Sequence, residues 1–157
     1  MNDVVLRDLL QKLLLSDWAH TSFDDTVANV PVDVRGKRPA GMPHTPWQLL
    51  EHLRIAQSDI LEFTRDGSHE SPQFPQGYWP ESESPPTATA WDESIAAYRA
   101  DRDALAAIAR DEHDLTAKIP HGSGQTILRE ILLAADHNAY HLGQLVFALR
   151  ALGAWDK

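Results

Sequence analysis

The chain has 157 residues, no cysteine, eight histidines, and 23 acidic against 14 basic side chains, for a formal charge of −9. That length suits one domain with a real core, and 43% hydrophobic against 24% charged residues is the balance of a soluble globular chain. Without cysteine there is no disulfide scaffold, no thiolate nucleophile and no Cys-based zinc site, and the acidic balance disfavours a general nucleic-acid binder.

The first predicted helix covers residues 3–19. Leu6, Leu9, Leu10, Leu13 and Leu14 recur at the spacing of one apolar helix face, and Asn2 or Asp3 can cap it. Charges interrupt this stretch, so it reads as neither signal peptide nor membrane span, and a cytoplasmic protein is the expectation. A short helical piece over residues 22–28 has weak periodicity. Residues 31–46 form a loop, because Gly36, Pro39, Gly41 and Pro43 block regular structure.

The next helix has a clear start. Thr45 is an N-cap, Pro46 suits the first helical position, and Gln48 completes a capping box. Leu49, Leu53, Ala56, Ile60 and Phe63 form its core stripe, and Gly67 stops it. Residues 68–88 are a long loop rich in Pro, Ser and Glu, containing Tyr78 and Trp79. A loop of that length is either functional or mobile. Closure of Tyr78 and Trp79 over a ligand is the less favoured reading of that pair.

A third main helix spans residues 89–110, with Asp92 in a capping-box-like place. Its apolar side is Trp91, Ile95, Tyr98, Leu105 and Ile108, while Arg99, Asp101 and Asp103 face water. The last helix, residues 126–152, is closed by Gly153. It is apolar on most sides and is expected at the centre of the fold. Trp18, Trp47 and Trp91 fall at core positions. No strand pattern and no internal repeat survive, so the fold class is all-α, a four-helix bundle with long loops, in a single domain over residues 1–157.

Charge is unevenly distributed. Residues 59–114 hold 13 acids and 4 bases, which accounts for the whole imbalance, since the remainder has 10 of each. The acidity therefore reads as a solvated face, away from the chemistry.

That chemistry centres on histidine. His137 and His141 are four apart in the most apolar helix, which stacks both rings on one face beside Leu133, Ala134, Leu145 and Ala148. His52, between Leu49 and Ala56, is the third candidate. Three neutral imidazoles from two facing helices make an open metal site completed by water. Asn138 follows His137 where a zinc protease carries glutamate, so no base comes with the motif. Asp136 and Glu51 directly precede ligands and are turned about 100° away, toward solvent or an outer shell, as the pitch of a helix requires. Glu51, Asp59, Glu130 and Asp136 are acids that lie on the two ligand-bearing helices. His44 and His121 are in loops near helix starts, where a pocket mouth could lie, but a surface role is the favoured reading, and His20, His69 and His113 read as solvated residues. Gly143 is expected to permit close helix packing beside the site, and Gln144 to hydrogen-bond into it. Ser123-Gly124 reads as a plain turn.

Three stretches together resemble the DinB-like (YfiT-related) superfamily: Thr45-Pro46-Trp47-Gln48-Leu49-Leu50-Glu51-His52, Ile119-Pro120-His121-Gly122, and Asp136-His137-Asn138-Ala139-Tyr140-His141-Leu142-Gly143-Gln144. The resemblance covers essentially the whole chain. It implies a four-helix bundle, commonly a homodimer, in which His52, His137 and His141 hold a divalent metal, usually zinc or nickel. Some members of that family are metal-dependent thiol transferases using a low-molecular-weight thiol, and others are hydrolase-like or isomerases. No thiol-binding signature is visible in this chain. Two expectations follow. One is a metal-dependent enzyme that activates a thiol or water for attack on a small-molecule substrate, with no nucleic acid or membrane as partner. The other is a non-catalytic metal-binding stress-response bundle acting as a homodimer, with Leu15 and Phe147 as spare outer apolar residues.

Overall fold

In the computed structural model, residues 3–15, 18–111 and 114–155 are described. They contain helices α1 (Asp3–Leu15), α2 (Phe23–Val27), α3 (Pro46–Arg65), α4 (Ala90–Arg110) and α5 (Ile127–Ala151), and no strand. Thr45 caps α3 as its sequence requires: its hydroxyl accepts from the Gln48 N–H, and the Gln48 side chain accepts from the Thr45 N–H. Thr126 caps α5 by accepting from the Arg129 N–H, and Gly153, at φ 68°, ends it in the left-handed region that glycine tolerates.

Other boundaries differ from expectation. Helix α1 is described over Asp3–Leu15, and Trp18, expected within the helix and the core, is outside regular helix and 59% exposed. Asn2 and His113 lie outside the described residues. The α4 cap does not involve Asp92. Thr89 makes no capping bond, and the Thr87 hydroxyl accepts from the Ala90 N–H instead.

The long helices form a ring in which α3 and α1 are each flanked by α4 and α5. Helix α5 is thus one wall of the bundle, not its centre, and Leu132, Tyr140 and Phe147 stay exposed on it. The core falls into two apolar clusters. One gathers Trp47, Leu50, Leu53, Trp91, Leu145 and Leu149, and the other Leu10, Leu14, Leu61, Leu105, Ile131 and Ala134. Between Leu53 and Ile60 on α3, and between Ala135 and Leu142 on α5, lie the polar side chains of Gln57, His137, Asn138 and His141. A polar layer therefore crosses the bundle between its two apolar halves. No described helix is long and apolar enough to cross a membrane.

Candidate metal centre

Packing of α3 on α5 brings together the three histidines singled out by spacing. His52 Nε2 is 3.0 Å from His141 Nε2 and 3.1 Å from His137 Nε2. His52 is buried at 7% exposure, and the other two are half-buried. The cluster comprises these three side chains, and among the described residues no carboxylate joins it.

The hydrogen bonds on the far ring nitrogens decide what the near nitrogens can do. His52 Nδ1 lies 2.8 Å from the Tyr78 carbonyl, which can only accept, so Nδ1 carries the proton and Nε2 the lone pair. His141 Nδ1 lies 2.8 Å from Gln144 Oε1, with the same consequence. Two lone pairs then face each other at 3.0 Å with no proton between them. A cation at their meeting point turns that repulsion into ligation. Zinc–nitrogen bonds of about 2.0–2.1 Å place tetrahedral ligand nitrogens a little over 3 Å apart, so the donor set fits a divalent metal.

Burial keeps the rings ready for this. It lowers the His52 pKa to about 4 against the opposing bond to Tyr78, and it lowers His137 to about 4 with help from the neighbouring His141 and His52. His141 is lowered too, again chiefly by burial. All three are neutral near pH 7, the state that binds metal.

The 68–88 loop contributes more than its sequence suggests. Trp79 lies flat on His52, with ring centroids 3.8 Å apart and planes 1° apart. His44 stacks on Trp79 at 3.8 Å, so it belongs to the wall of the site and is not merely a surface group. Tyr140 meets His141 edge-on. The Tyr78 hydroxyl donates to Asp59 at 2.6 Å, and burial with this carboxylate pushes its pKa up to about 12. His69, expected in solvent, is 2.8 Å from the same carboxylate. The sequence placed Asp59 only as an acid of the helix and left closure by Trp79 the less favoured reading, because both contacts depend on the path of the loop.

Other expectations change. Glu51 does not face water: it pairs with Arg54 and accepts from Ser94, and these partners hold its pKa down against burial. Asp136 is exposed, as its turn on the helix requires. Glu130 is buried at 2% exposure, 2.7 Å from Arg129 Nη1. His121 is exposed and bonds the Phe63 carbonyl. Gly143 is also exposed, and a Cβ there would meet nothing, so it does not serve close packing. Gln144 does hydrogen-bond into the site. A cavity of about 470 Å³ along α5, beside Leu142, Gly143, Val146 and Phe147, is lined by none of the three histidines.

Comparison with known families decides the lineage. The family model of the DinB superfamily matches residues 16–145. The chain belongs to the DinB superfamily. Neither curated proteins nor solved structures give a significant match. Within this DinB-superfamily bundle, the match starts just past α1 and takes in the early histidine on α3 and the paired histidines on α5.

Proposed function

We propose that His52, His137 and His141 hold a divalent metal ion, zinc or nickel, and that the protein is a metal-dependent transferase or hydrolase acting on a small-molecule electrophile. The observation that carries this reading is the convergence of three neutral imidazole nitrogens, two of which face each other with their protons committed elsewhere. Three protein ligands leave a position free, which is the pattern of catalytic sites as opposed to closed structural ones.

A metal held there supplies Lewis acidity and lowers the pKa of a thiol or water nucleophile. The chain's own residues present the nitrogens and shape their surroundings. The Tyr78 carbonyl and the Gln144 amide fix the tautomers of His52 and His141. Trp79 covers one face of His52 and keeps water from it. Among the described residues no side-chain carboxylate joins the three-histidine cluster. A thiol nucleophile must arrive as a substrate, because the chain has no cysteine. The exposed Phe147 and Leu132 on α5 support a homodimer as the working assembly.

Metal analysis of tag-free protein tests the reading. One zinc or nickel per chain is expected in the wild type and none in His52→Ala. Turnover of a thiol with an electrophile should then depend on that ion and disappear in His137→Ala. Metal-free wild-type protein after metal supplementation would sink the proposal. A stoichiometric ion without turnover would instead favour a non-catalytic metal-binding bundle.

A further inference from the structure

Asp59 lies seven residues beyond His52, about two turns along the same face of α3. Its side chain is only 12% exposed, and its two oxygens are divided between two residues of the 68–88 loop. Oδ2 accepts from the Tyr78 hydroxyl at 2.6 Å, and Oδ1 lies 2.8 Å from His69 Nε2. The start and the middle of the loop are thereby tied to one carboxylate on the helix that carries His52.

What the tie holds is the main chain of Tyr78. Its carbonyl accepts from His52 Nδ1 at 2.8 Å, and the next residue, Trp79, lies flat on the His52 ring. Keeping a loop carbonyl on one ring nitrogen opposes backbone entropy of roughly 1–2 kcal/mol per ordered residue, so an anchor close in sequence is needed. Among the loop's other ties, the Trp79 ring stacks on His44 and His52, which holds the neighbouring side chain and not the Tyr78 carbonyl, and two polar ties act further along. Thr45 donates to the Glu83 carbonyl, and Arg38 pairs with the Glu83 side chain, five residues past Tyr78. Neither fixes the Tyr78 carbonyl.

We propose that Asp59 is a positioning residue for His52: it clamps Tyr78 and His69 so that the Tyr78 carbonyl takes the His52 Nδ1 proton and leaves Nε2 free as a metal donor. The proposal rests on the metal reading above for its purpose, but the tautomer it fixes is a property of the metal-free protein. Outer partners of metal-bound histidines commonly change metal affinity by about 10–100-fold when removed.

Two measurements on Asp59→Ala and Tyr78→Phe test this. Long-range proton–nitrogen NMR of the metal-free protein reads the His52 tautomer, and titration with cobalt(II) reads affinity and the ligand field. The wild type should show a single Nδ1–H tautomer at His52. Both variants should show mixed tautomers, bind cobalt about tenfold or more weakly, and have an altered visible spectrum. Tyr78→Phe removes only a hydroxyl from a half-buried side chain, so it carries the test if Asp59→Ala fails to fold. A wild-type tautomer and wild-type cobalt affinity in Tyr78→Phe would overturn the proposal. If the wild type takes up no cobalt, the metal reading falls, and the tautomer measurement alone decides the role of Asp59.

Discussion

At His52 burial and hydrogen bonding pull the same ring in opposite directions. The Tyr78 carbonyl favours the protonated ring, burial disfavours it, and burial wins, leaving a pKa of about 4. His137 reaches about 4 through burial and its two histidine neighbours. In the unfolded chain both rings take up a proton near the usual 6.5. Between those values the unfolded state binds more protons than the folded state, so stability falls as pH falls. Below about 4 these two groups add no further loss. The lowered carboxylates Asp24 and Glu51 act in a more acidic window, below their usual 3.8 and 4.5. Urea melts of the metal-free protein should therefore show declining midpoints from pH 6.5 toward 4. His137→Gln should flatten that decline, and an unchanged slope in the variant would contradict this account of the ring.

At the scale of the element, α3 is the helix that organises the site, and its start joins local to distant structure. The Thr45 hydroxyl accepts from the Gln48 N–H at 3.2 Å and donates to the Glu83 carbonyl at 2.7 Å, and the residue is fully buried. Thr45→Ala should cost about 1–2 kcal/mol, the upper part of the range for a lost cap, because both bonds disappear. A lowered urea midpoint with unchanged slope would show it, and Thr45→Ser should restore most of the loss. The Thr45–Gln48 box was legible because capping involves residues three apart, and the pairing of His137 with His141 because a helix stacks residues four apart. His52 could be placed through its position on the α3 core stripe. Asp59, Tyr78 and Trp79 could not, because a 68–88 loop without periodicity gives no register against the helix beneath it. Within α1, Leu9 and Leu13 continue the apolar pattern but remain about 40% exposed, so periodicity outran actual burial there.

Across the whole molecule, charge and polarity are segregated in different ways. The acidic surplus of residues 59–114 lies largely on exposed side chains such as Glu81, Glu83, Asp92, Glu93 and Asp103, and Asp59, 12% exposed beside the site, departs from the expected solvated face away from the chemistry. The internal polar layer is the less obvious feature, and it ties three helices together. Gln57 of α3, fully buried, donates to the Tyr98 carbonyl of α4 at 2.7 Å and accepts from Asn138 of α5 at 2.7 Å. The Tyr98 carbonyl can only accept, so it fixes the direction of both amides. Asn138 Oδ1 and His137 Nδ1 are both buried and make no well-formed hydrogen bond, so the layer has no bonds to spare. Replacing Gln57 with leucine keeps the volume and adds apolar surface, which simple burial arithmetic scores as stabilising. It also strands the Asn138 amide in an apolar interior, and an unsatisfied buried group costs about 1–3 kcal/mol. Gln57→Leu should therefore destabilise the protein by that amount in urea melts. Removing both polar partners of a buried pair is close to neutral, so Gln57→Leu combined with Asn138→Leu should recover much of the loss. Additive losses in the double variant would show that the layer stabilises the bundle through each residue separately, not through the hydrogen bond that links α3 to α5.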